Sequence, residues 1–483
     1  MKTLTRCAIL CWLAAAPAWA GSPFPFEHLD ALTGHLRSGG PPIDGIPAVT
    51  NPDFAPASRI EYVRDTDLVI GVVRGGEVKA YPENLGWWHE IINDRIGDGY
   101  ISVTLCPLTG TPQVFEATAG DGSQIEFGVS GLLINSNLVM YDRRDDTTLY
   151  PQMIYTGING EYKGEQLELL PAIVTTFEMW KRMYPDSEVA LFGTGLDRYS
   201  AGTQSYYSKA DLFHSYPYGD YRTNHNRIFF YWTTNEPDLS VYQPKEMFLG
   251  ICLGDELRAY GFGDMGPEAV VNDELGGEPL LVVFHEDSQT ALPYSRQVDG
   301  RTLTFYQAEP SGSLPEFRDV ETGTTWDLLG RAVAGPLEGE QLTQLPAYYS
   351  MWFAWSTYWP ESTVWQYGDG IIDEPEDTAV LMPEGDSVPR SFELGQNYPN
   401  PFNPVTRIRF SLPADGDASL AVHNVFGQKV RTLADGRHRA GRYVVDWDGT
   451  DESGRAVASG VYHYRLEVPQ RGLSEQRTMT LAR

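Results

Sequence analysis

Alternation of apolar and polar positions, broken by Gly, Asp and Asn, predicts a chain built mainly of short strands. Strands are expected at 68–73 and 77–81, and further apolar or alternating runs lie at 125–129 and 138–141. An aromatic stretch at 175–184 reads as a helix that stops before Pro185. Between these, HEIINDRI and YISVTLC flank Gly97-Asp98-Gly99 like the two arms of a hairpin. With Gly97-Asp98 as a two-residue loop, Ile96 faces Gly99, and counting outward sets His89 directly opposite Cys106. A slip of one residue would turn the two to opposite faces. A short helix over 87–94 is the competing reading.

The pattern then recurs. GVVRGGEVKAY (71–81) matches GICLGDELRAY (250–260), and Asn93-Asp94 matches Asn272-Asp273, at a constant offset of 179. GEQLELLPA (164–172) matches GEQLTQLPA (339–347) at an offset of 175, as do Trp180 with Trp355 and Pro185 with Pro360. Ordered matches with one small deletion indicate an internal duplication. The unit is too long for a solenoid, so two similar lobes are expected, at 58–215 and 216–367. His89 and Cys106 are replaced in the second copy by Glu268 and His285, which the loop Gly276-Gly277 would again set opposite each other.

Composition and charge narrow the class. With 483 residues, 42% hydrophobic and 12% aromatic, the chain is a packed protein of more than one core. Residues 1–20 place Lys2 and Arg6 before an apolar run and end in Ala18-Trp19-Ala20, the pattern of a secretory signal peptide. No later stretch is long and apolar enough to span a bilayer. Residues 21–57 are a Pro/Gly-rich lead. The net charge is −29; residues 1–20 contribute +2 and residues 389–483 +3, leaving −34 for 21–388, a surface that repels nucleic acid. Once Cys7 and Cys11 leave with the signal, Cys106 and Cys252 remain, too few for a disulfide scaffold.

The set AYP, WHEIIND, CPLTGT, FGVSGLL and LVMYDR, followed by VVND, ETG and GPL, resembles a bacterial family called domain of unknown function 3179, over roughly residues 58–366. The family has no established activity, so the likeness implies none. Thr109 stands where some members carry a second cysteine, and two-cysteine redox chemistry does not transfer. Residues 368–390 are acidic and read as a linker. Beyond them, NYPNPFNP and short alternating runs over 391–483 resemble the sorting domains of the type IX secretion system and the immunoglobulin-like module of the flagellar hook-capping protein. That likeness implies the type IX machinery as a partner, and a secreted or outer-membrane surface-attached location.

The expected fold class is therefore α+β and β-rich, two duplicated lobes followed by a small immunoglobulin-like β-sandwich. His89 and Cys106 are the candidate chemistry. They read as a hydrogen-bonded core pair, as metal ligands suited to copper or zinc, or as a nucleophile with its base. No nucleotide-binding loop, HExxH or CxxC is present. The resulting expectation is an exported protein with a metal-binding His/Cys pair. A non-catalytic surface module and a cysteine hydrolase are the alternatives.

Overall fold

The computed structural model describes residues 29–192, 213–229, 239, 241–308, 310, 312–366, 369–372, 392–397, 400–402, 405–438, 441–453 and 455–482. The expected signal peptide and most of the expected linker lie outside the described residues. The chain folds as two compact units, Met1–Pro375 and Glu376–Arg483.

In the first unit one order of elements occurs twice. The first lobe runs β1 (Leu68–Arg74), β2 (Glu77–Pro82), α1 (Glu83–His89), β3 (Ile91–Ile96), β4 (Gly99–Cys106), β5 (Thr111–Glu116), β6 (Ile173–Thr176), α2 (Phe177–Met183) and β7 (Glu188–Ala190). The second runs β8 (Met247–Leu253), β9 (Glu256–Gly261), α3 (Phe262–Met265), β10 (Glu268–Leu275), β11 (Glu278–His285), β12 (Thr290–Ser295), β13 (Tyr348–Met351), α4 (Trp352–Tyr358) and β14 (Thr363–Val364). One sheet of each lobe contains the order β6-β1-β2-β7 or β13-β8-β9-β14, and in the first lobe Phe54–Pro56 adds a fifth strand beyond β7. Its parallel pair has the same register in both copies: Val189 pairs with Ala80, and Val364 with Ala259. The stretch expected to be helical from 175 starts as strand β6. Thr176 ends that strand and caps α2 by accepting from the Met179 amide.

The two copies also share their buried contacts. Gly71 and Gly250 sit under Trp180 and Trp355, so close that a Cβ on either glycine would lie 2.0 Å from the indole. Each indole N–H donates to a serine hydroxyl, Ser187 or Ser362, at 2.8 Å. Asp94 accepts from the Tyr81 hydroxyl and the Lys79 ammonium, and Asp273 from the Tyr260 hydroxyl and the Arg258 guanidinium. Asn93 exchanges two hydrogen bonds with the backbone of Phe127, and Asn272 with that of Phe305. These pairs satisfy polar groups that would otherwise be buried without partners, so they belong to the scaffold.

The lobes interlock. The Met351 amide of β13 donates to the Thr109 carbonyl at 2.8 Å, and the Thr176 amide of β6 to the Ser288 carbonyl at 3.0 Å. These are equivalent bonds made in opposite directions. Trp352, Trp355 and Tyr358 of α4 are packed into one core with Cys106, Phe127 and Tyr150 of the first lobe. Phe177 and Trp180 of α2 are packed into another with Leu281, Tyr294 and Trp326 of the second. The second unit is a sandwich of a three-stranded sheet, β15 (Glu393–Leu394), β16 (Thr406–Leu412) and β19 (Gly441–Trp447), on a four-stranded one. The latter is formed by β17 (Gly416–Asn424), β18 (Lys429–His438), β20 (Gly460–Val468) and β21 (Leu473–Leu481), around Trp447, Tyr464 and Leu466.

Candidate functional site

The hairpin register expected from Gly97-Asp98 holds from Ile96↔Gly99 back to Ile91↔Thr104. Gly97 alone has positive φ, +60°, as a type II′ turn requires of its first position. His89, however, does not face Cys106 on the ladder, because it is the last residue of α1. The chain leaves that helix through Glu90 at φ +58°, rejoins the strand with the Leu105 amide bonded to the Glu90 carbonyl, and leaves His89 outside the pairing. In the second lobe the expected register is complete, and Glu268 pairs with His285. The difference follows from two residues. Pro267 in the second copy forbids another helical turn, whereas Trp87-Trp88 in the first permits it.

The side chains of the expected pair make separate bonds. His89 Nδ1 donates to the Pro47 carbonyl at 2.7 Å, so the ring keeps an unprotonated Nε2. Burial lowers its pKa, and the Pro47 bond opposes that shift. The Cys106 thiol is 1% exposed, lies 3.7 Å from the Ser136 carbonyl and bonds Thr109. Burial, reinforced by the charge of Glu90, pushes the thiol up to about 11. Cys106 and Cys252 are both free. Among the described residues no three His, Cys, Asp or Glu side chains converge as a metal site would require.

The geometry adds residues that pattern reading missed. Glu90 is buried with neither an ion pair nor a hydrogen bond on its carboxyl among the described residues, and burial alone raises it to about 8. Behind Cys106 a closed polar chain runs through the interior. The Asn137 amide donates to Thr109 Oγ1 and Gln152 Oε1, each at 2.9 Å, and the Gln152 amide donates to Thr104 Oγ1 at 2.8 Å. Asn137 Oδ1 and both polar atoms of the Gln113 amide are buried without a partner. At the other end of α1, Glu83 is buried with its pKa raised by burial, and Arg222 stands 3.7 Å away and opposes the shift. Tyr216 covers the turn after Cys106, its hydroxyl donating to the Pro107 carbonyl at 2.7 Å.

The second lobe supplies the control. Glu83, Glu90 and Gln113 correspond to Phe262, Ala269 and Leu292 at the offset of 179 that aligns β1–β5 with β8–β12. The same three exchanges are legible in the sequence, at the offset that pairs His89 and Cys106 with Glu268 and His285. The turn chemistry itself is common to both lobes. His285 Nδ1 is 2.7 Å from Ser288 Oγ, which is 2.8 Å from Thr290 Oγ1, just as Cys106 bonds Thr109 and Thr109 bonds Thr111. Glu268 Oε1 lies 3.8 Å from His285 Nε2.

Among curated proteins no relative matches the chain. Among solved structures it is similar to FlgD from P. aeruginosa, at 23% identity over 16% of this chain and 59% of that chain, TM-score 0.14. It is also similar to dimeric latent PorU from Porphyromonas gingivalis, at 10% identity over 80% of this chain and 31% of that one, TM-score 0.17. A third is PorZ, an essential surface component of the type-IX secretion system of the same organism, at 11% identity over 86% and 56%, TM-score 0.15. The chain thus spans between about a third and three fifths of these proteins, and scores this low define no common fold. The family described as FlgD Ig-like domain matches residues 401–472, within the terminal sandwich. The family described as protein of unknown function (DUF3179) matches residues 43–362, across both lobes, and the chain belongs to it.

Proposed function

We propose that the chain is an exported, surface-located binding protein whose first lobe carries the ligand site. In this reading the second lobe completes its cores and the terminal module addresses it to the type IX machinery. Export rests on the signal pattern of residues 1–20 and on the likeness of residues 391–483 to sorting modules. The observation that carries the binding role is the asymmetry of a duplicated fold. Scaffold contacts repeat in both lobes, while a carboxyl on a buried residue with no ion pair among the described residues, on a positive-φ backbone, occurs in one. Such a group costs stability and is kept where it serves something other than folding. The thiol does not act as a hydrolytic nucleophile in this reading, because burial holds it protonated.

Glu90→Ala installs the residue of the second lobe and tests the reading directly. The variant is expected to be more stable than the parent by about 1–3 kcal/mol in urea unfolding. A loss of stability would mean that the carboxyl serves the fold.

One observation favours a second reading, copper or zinc on His89 and Cys106. His89 donates Nδ1–H to a carbonyl and keeps Nε2 unprotonated, the orientation that ligating histidines adopt. Equilibrium dialysis should then retain one zinc or copper ion on the parent and none on His89→Ala. Equal retention by the two proteins would remove this reading.

A further inference from the structure

Arg222 is held in an unusual way. Its guanidinium carbon lies 5.4 Å from the Trp87 ring centroid and 5.7 Å from that of Tyr216, and the two rings meet edge to face at 5.4 Å. Its charge is opposed by Glu83 at 3.7 Å, beyond hydrogen-bond reach, and it donates no hydrogen bond among the described residues. The Arg222 side chain is 36% exposed, while the Glu83 side chain is 7% exposed. Trp87 and Tyr216 are half-buried, so each keeps an accessible surface. A planar fork of donors is thus flanked by two aromatic rings on a partly exposed side chain, and it donates no hydrogen bond among the described residues. Tyr216, one of the two rings that hold it, is the residue that covers the turn after Cys106.

We propose that Arg222, Trp87 and Tyr216 form the entrance of the first-lobe site and that they take a small organic monocarboxylate with a planar body, which rests on the reading of that lobe as the ligand-bearing one. The fork matches a carboxylate through two parallel N–H···O bonds. One guanidinium, with Glu83 beside it and a strongly acidic protein around it, balances a single negative charge and repels a dianion. The half-buried indole gives the body of the ligand an aromatic neighbour. In the second lobe Glu83 and Trp87 are replaced by Phe262 and Gly266.

Modification of arginine by phenylglyoxal in the full chain tests this without a variant, with Arg222 followed by peptide mass spectrometry. Sodium benzoate should slow modification of Arg222 several-fold, and inorganic phosphate at the same concentration should not. Glu83→Gln, which removes the competing carboxylate, should give the same protection at a lower benzoate concentration. Protection by neither anion, or equal protection by both, overturns the proposal. The outcome is separate from that of Glu90→Ala. A stabilised Glu90→Ala without benzoate protection leaves the first-lobe reading standing and removes the ligand class. Protection alongside a destabilised Glu90→Ala keeps the ligand class and assigns Glu90 to the fold instead of the site.

Discussion

Glu90 is the residue whose environment makes the sharpest demand. An unfolded glutamate titrates near pH ~4.3, whereas burial raises this one to about 8. The folded chain therefore holds a proton that the unfolded chain releases across that interval. Its contribution to stability is complete below the unfolded value and is lost as pH rises toward the folded one, at about 1.4 kcal/mol per unit. Urea unfolding at pH 5, 6.5 and 8 should show this slope in the parent and a flatter one in Glu90→Gln. Parallel slopes would show that Glu90 ionises normally in the fold. This residue was legible only by comparison: alone it is one more acid in an acidic chain, and it stands out when set against Ala269.

At the scale of elements, the apolar runs located β1, β2 and the hairpin closely, because period-2 patterning and glycine turns are local properties. The boundary between α1 and β3 was not local in the same way. Counting from the turn assumes that the strand continues, and α1 interrupts it where two tryptophans replace Gly266-Pro267. Residues 175–176 belong to the strand and not to the expected helix, because Thr176 caps α2 from outside it. The repeated Gly–Trp contact gives the element-scale prediction. Gly71→Ala and Gly250→Ala should each cost about 1–3 kcal/mol, since a methyl group meets an indole ring at 2.0 Å in either lobe. Thermal unfolding of both variants checks it, and an unchanged midpoint in either would mean that the ring can yield.

For the whole molecule, the duplication and the β-rich class were legible in the offsets, and the terminal sandwich in its alternating runs. The interlocking of the lobes was not, because residue patterns do not say which copy a buried face is packed against. The division into Met1–Pro375 and Glu376–Arg483 predicts that a chain ending at residue 375 keeps the lobes folded. The proposed sorting role adds that this shortened chain stays in the periplasm. Unfolding of the lobes, or normal arrival at the surface, would each refute the corresponding half. No described helix is long and apolar enough to cross a membrane.

The two opposed bonds from Met351 to Thr109 and from Thr176 to Ser288 also bear on ancestry. A protein with a single copy could have closed its cores only by lending its tryptophan helix to an identical neighbour and borrowing one in return, as a dimer of like chains. Fusing the two copies into one gene released them from having to be the same. Two copies in one chain can differ, and here one carries Glu83, Trp87 and Glu90 where the other carries Phe262, Gly266 and Ala269.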